Sequence, residues 1–191
     1  AAALPDGDIA AGGDTRTAAT ADKPDGLLVR VGSNGQETCG CGFHDETMAT
    51  AGLSRLRGVV RVADDSAVAA GLLTDPSGFT DGWLVGIAPA GAIAWQAAIG
   101  QAGNEEFTDI VNDGTGFLCV GVTDAGQGKD DGWVGRGDAT GKVLSKLAPR
   151  GGSEDDRILT FNGTNGDLKE AVKRASELAT ALTEPRLLDL K

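Results

Sequence analysis

Hydrophobic residues fall in short runs along this chain, each bounded by Asp, Asn, Gly, Ser or Thr. None approaches the roughly 20 residues that a membrane-spanning helix needs. Three runs carry one signature: Asp25-Gly-Leu-Leu-Val-Arg-Val, Asp81-Gly-Trp-Leu-Val-Gly-Ile and Asp131-Gly-Trp-Val-Gly-Arg-Gly. Asp-Gly ahead of an apolar run reads as a turn feeding a strand. Lined up on these dipeptides, other segments repeat. A strand ending in Thr precedes each: Asp8–Thr15, Ala67–Thr74 and Gly116–Thr123. A small-residue turn follows each (Ser33-Asn34-Gly35, Ala90-Gly91, Thr140-Gly141), and then a further strand such as Ala92–Ala97. Polar, Gly-rich bends at Gln101–Glu106 and Gly151–Asp156 lead into Phe107–Val111 and Arg157–Phe161.

Four short strands recurring at a period near 50 predict an all-β repeat array of about three four-stranded units. Alternation within the key strand puts Trp83, Val85 and Ile87 on one face, matched by Leu27, Val29, Val31 and Trp133. Arg30, Gly86 and Arg136 share the other face. Apolar character on both sides of Trp83-Leu-Val predicts cover on both sides, which stacked sheets provide. The small residues of the Thr-ending strands suit a crowded innermost position.

The pattern changes at the C-terminus. Leu168, Ala171, Val172, Ala175, Leu178, Ala179 and Leu182 recur at helical spacing. Asp167-Leu-Lys-Glu170 resembles a capping box and Pro185 ends the run, so an amphipathic helix is expected over 167–184. The expected domains are a β-repeat domain over 1–163 and a helix and tail over 164–191.

The segments Asp131-Gly-Trp-Val, Asp138-Ala-Thr-Gly-Lys-Val-Leu and Gly151-Gly-Ser-Glu-Asp-Asp resemble bacterial extracellular β-propeller repeats of the SBBP type. Gly100–Val111 and Gly116–Thr123 carry the same resemblance, which spans about residues 4–161. It implies four-stranded blades, export and a binding or structural role. Three units are fewer than the roughly four to eight blades that close a propeller. A first blade split between the termini, with Arg157–Phe161 completing it, would remove two open edges. Alternatively, three blades would form half of a six-bladed dimer or part of a larger ring. A β-trefoil is the runner-up fold, its units being typically shorter.

Composition narrows the partners. The chain has 191 residues, 30 of them Gly, and a net charge of −11. Acidic charge argues against nucleic acid and anionic membranes, both of which select clustered Lys and Arg. The opening Ala1-Ala2-Ala3-Leu4 suits a mature exported chain or an incomplete start, so a secreted, periplasmic or cell-surface location is expected.

Candidate chemistry concentrates in two places. The first unit is stretched by six residues around Cys39–His44, taking Arg57 as the counterpart of Phe107. An insertion into a repeat frame is usually a surface loop. Cys39, Cys41 and His44 could offer two thiolates and an imidazole to Zn²⁺ or Cu⁺. A Cys39–Cys41 disulfide, a disulfide from either to Cys119, and free thiols are the other readings. The acidic loop around Asp124, Asp130 and Asp131 could hold Ca²⁺, or act as a turn whose carboxylates cap backbone N–H groups. No serine stands in a nucleophile-elbow frame, and adjacent carboxylates such as Asp64/Asp65 point to opposite faces of a strand. The expected function is a non-catalytic, exported binding or assembly module that completes its β array with a protein partner or another copy. The alternative is a small accessory subunit of a redox or metalloenzyme that uses Cys39, Cys41 and His44.

Overall fold

A computed structural model describes residues 1–4, 6–16, 24–43, 52–63, 66–75, 77–101, 103–124 and 130–147. The expected strand at 157–161 and the helix at 167–184 lie outside the described residues. Twelve strands form three four-stranded sheets among those residues. The first sheet is β1 (Ala2–Ala3), β2 (Ile9–Thr15), β3 (Asp25–Val31) and β4 (Glu37–Phe43). The second is β5 (Ser54–Arg61), β6 (Ala67–Thr74), β7 (Thr80–Ile87) and β8 (Ile93–Ile99). The third is β9 (Glu105–Asn112), β10 (Gly116–Thr123), β11 (Asp131–Asp138) and β12 (Val143–Leu147). Each is an antiparallel meander with neighbours in chain order. The protein is therefore all-β, as its periodicity requires.

Turn chemistry sets the meander. Each Asp-Gly strand ends in the same hairpin, with Gly35, Gly91 or Gly141 at positive φ. Only glycine takes that conformation without a Cβ penalty, and it produces a bulge in the following pair. The bulge recurs at one place in every sheet: Arg30/Val31, Gly86/Ile87 and Arg136/Gly137.

The sheets stack face to face in an open array. Trp83, Val85, Ile87, Ala67, Ala69 and Leu73 pack with Ala10 and Leu28 between the first and second sheets. Leu84, Val68 and Ala70 pack with Phe107, Phe117, Cys119 and Trp133 between the second and third. The strand β7 is thus buried on both faces, as its two-sided apolar pattern predicts. A closed barrel, which a β-trefoil contains, is absent among the described residues.

Four details correct the sequence expectations. The Asp-Gly dipeptides are not turns: Asp25, Asp81 and Asp131 already stand in their strands, paired with Thr15, Leu73 and Thr123. That register also makes Leu73, rather than Thr74, the counterpart of Thr15 and Thr123. The Thr-ending strands are second in their sheets, not innermost; β5 and β9 hold the edge where neighbouring sheets converge. Finally, Leu56 rather than Arg57 matches Phe107, because Arg57 is bulged out of the ladder. The first unit is longer by one residue less than expected.

Candidate functional site

Sheet docking explains what the Asp-Gly glycines are for. A Cβ on Gly26 would lie 2.7 Å from the Trp83 ring of the next sheet. One on Gly82 would lie 2.6 Å from the Trp133 ring and 2.7 Å from Phe107. The benzo edge of each later indole therefore sits against the glycine of the unit before it. Phe107 stacks on Trp133 with centroids 4.5 Å apart, completing the second of these contacts.

Ser54 and Glu105, at the same junctions, are buried and hydrogen-bonded. At the first junction, Ser54 Oγ accepts the Gly26 N–H at 2.8 Å. At the second, Glu105 is 1 % exposed and accepts the Thr123 hydroxyl and the Gln101 N–H, both at 2.8 Å. Gly100 leaves room for the carboxylates of Asp81 and Glu105 to approach the same point. Enclosure of Glu105 between sheets closes this pair to substrate, so its chemistry is that of a clamp. In sequence, Glu105 read as part of a polar bend, because an acidic pair after Gly and Asn carries no burial signal.

On the same face as the Asp-Gly glycines, nearer the hairpins, arginines tie turns together. Arg30 Nε donates to Asp8 at 2.7 Å, another of its nitrogens donates to Asp6, and a third reaches the Pro89 carbonyl of the second sheet. Arg136 Nε donates to Asp113 at 2.6 Å, and its Nη2 donates to the Thr115 hydroxyl at 2.9 Å. At the matching position in the second sheet stands Gly86, and the Trp95 indole fills the space.

The expected site residues lie in two places, at β4 and at the β10–β11 connection. Cys39 and Cys41 are in strand β4, opposite Arg30 and Leu28, where a surface loop was expected. His44 lies outside the described residues. Cys119 is a free thiol buried between the second and third sheets, so it forms no disulfide to either. Burial, with a smaller contribution from Asp109, pushes its pKa well above the ordinary thiol value. The carboxylate of Asp124 accepts the backbone and side-chain N–H groups of Asn104, the latter at 2.7 Å. This is the capping role, and it uses both oxygens. Asp130 is engaged in an interaction of its own, while Asp131 is 4 % exposed with one oxygen unbonded. Thr123↔Asp131 closes the β10–β11 ladder, so Asp124 and Asp130 stand across the mouth of a loop whose residues 125–129 lie outside the described residues. No group of three or more His, Cys, Asp or Glu side chains is arranged to hold a metal among the described residues.

The first sheet carries the most open surface. Its face turned away from the second sheet presents Leu27, Val29 and Val31 half-buried and Ile9 50 % exposed. Their counterparts Trp83, Val85 and Ile87 are buried under the sheet before them. The edge of β2 is also incomplete: Ala2 and Ala3 of β1 pair with Ala10 and Ile9. Among the described residues, no strand pairs with β2 from Gly12 to Thr15 on that side.

Comparison with protein-family models finds no match, and comparison with curated proteins finds no relative.

Proposed function

We propose that this chain is a non-catalytic, exported module with a β-propeller-like architecture, which acts by binding or assembly. One observation carries the reading: among the described residues, the stacking that buries Trp83, Val85 and Ile87 stops at the first sheet. There the equivalent Leu27, Val29 and Val31 are half-buried, and no described strand pairs with β2 from Gly12 to Thr15 on its outer edge. An apolar sheet face beside an unpaired edge favours association with another β element. The partner is a protein surface or another copy of the chain; the net charge of −11 disfavours nucleic acid. The test is sedimentation velocity and native mass spectrometry on natively purified protein. A stable species larger than the 19.3 kDa chain supports the reading. A lone monomer that captures no partner at any accessible concentration overturns it.

A further inference from the structure

We propose that the open edge of β2, Gly12–Thr15, accepts a bulged antiparallel strand formed by residues 156–160 of a second copy of this chain. The inference rests on the assembly reading and names the surface and the partner.

Three glycines occupy one register position. Gly13 pairs with Leu27, Gly71 with Trp83 and Gly121 with Trp133. On their other side, Gly71 and Gly121 face bulges. The strand β5 passes from Leu56 to Gly58 without pairing Arg57, and β9 passes from Phe107 to Asp109 without pairing Thr108. The bulge drives a backbone carbonyl, Arg55 O or Glu106 O, into the space a Cβ would need. Among the described residues Gly13 has nothing within 4 Å of that space, and it is not among the positive-φ glycines. Nothing in its own sheet calls for glycine there. The feature shared by Gly71 and Gly121, a bulged neighbouring strand, does.

The start of the chain marks where such a strand would run. Ala2↔Ala10 and Ala3↔Ile9 occupy the places of Val60↔Val68 and Arg61↔Ala67. Both hairpins close with the same 2.8 Å bond, Leu4 N–H to Asp8 O and Val62 N–H to Ser66 O. The vacant stretch is therefore the counterpart of Ser54–Gly58.

Residues Asp156-Arg157-Ile158-Leu159-Thr160 match that counterpart in kind: polar, Arg, aliphatic, long, small. Placed in the β5 register, Asp156 stands opposite Thr15, as Glu105 stands opposite Thr123 and accepts its hydroxyl. Arg157 stands opposite Asp14, whose carboxylate also lies 4.0 Å from Arg55 Nε of the second sheet, and adds a charge-complementary cross-strand pair. Ile158 stands opposite Gly13, where the bulge begins. Three sheets fall short of the roughly four to eight that close a ring, and the first and third share no packed face among the described residues. A strand that follows β12 starts two sheets away from β2 of its own chain. A second copy brings one to it, and reciprocal exchange joins six sheets in a two-fold pair.

Native mass spectrometry and sedimentation equilibrium on the full chain test this. The wild type should be a dimer. Gly13→Val, whose added Cβ meets no described residue of its own protomer, and Ile158→Pro, which breaks the donated strand, should each be monomeric, with circular dichroism confirming the fold. Mixed, the two variants should recover a heterodimer through the one intact edge and strand. Asp14→Arg should weaken the dimer about tenfold, and Asp14→Arg with Arg157→Asp should restore it. A dimer that survives Gly13→Val overturns this inference and leaves the assembly reading standing. A monomeric wild type whose melting temperature falls on Gly13→Val means the strand is seated within one chain, which also overturns it. A monomeric wild type indifferent to Gly13→Val overturns both.

Discussion

Asp113 combines, in one side chain, the forces that define these hairpins. Its Oδ1 accepts the N–H groups of Thr115 and Gly116 at 2.8 Å, and Oδ2 accepts Arg136 Nε at 2.6 Å. Burial alone raises its pKa, but the bonds from Arg136 and Thr115 outweigh burial and hold it below the ordinary value of 3.8. A folded-state pKa below the unfolded one gives stability that is present above pH 3.8 and lost as pH falls through the folded value. Asp113→Asn should therefore lower stability at neutral pH and flatten the acid limb. Urea unfolding of both proteins at about pH 7 and about pH 3 checks this; parallel acid limbs would contradict it. The glycines show the opposite lesson. Sequence marked Gly26 and Gly82 as turn residues, whereas their function is to lie beneath an indole from another sheet. That use depends on a contact with a residue roughly 50 positions away, which no local pattern reports.

The strand β7 shows the same point at the level of an element. Its alternation was legible, and so were both of its apolar faces, because period-2 patterning follows directly from strand geometry. Which sheet covers each face was not. Leu84 meets the third sheet, and Trp83, Val85 and Ile87 meet the first. Gly82→Val would force a branched side chain into Trp133 and Phe107. It should cost about 2–3 kcal/mol, read as a lower denaturation midpoint, with near-ultraviolet circular dichroism reporting loss of the Phe107–Trp133 stack. An unchanged midpoint would mean the two sheets can separate freely at this point. β4 carries the reverse surprise. Cys39 and Cys41 suggested a loop because the repeat frame is stretched there, yet pairing with β3 holds both in a strand. Ladder hydrogen bonds outweigh its weak strand propensity.

At the scale of the whole molecule, protection from solvent should rank the strands. β6 and β10 are buried along almost their whole length and pair on both edges, whereas β8 alternates exposed positions such as Ile93 at 43 %. Native-state hydrogen exchange should be slowest in β6, β7 and β10, and faster in β8 and at Gly12–Thr15 of the monomer. Protection of Gly12–Thr15 that grows with protein concentration would follow assembly at that edge. Uniform exchange across all three sheets would instead mean that they open as a single unit.

Sequence by itself determined the repeat, the four-strand unit, the hairpin turns at Gly35, Gly91 and Gly141 and the faces of the key strand, because these follow from local turn chemistry and from two-residue alternation. Only the tertiary structure decided the exact register, the stacking of Trp83 on Gly26 and Trp133 on Gly82, the burial of Glu105 and Cys119, and the vacancy beside Gly13. Each is a relation between residues distant in the chain, and a bulge of one residue, such as Arg57, shifts all pairings beyond it. The Asp-Gly-Trp stretch that organises the chain thus served first as a ruler. Its physical role is to supply the glycine against which the next sheet sets its tryptophan.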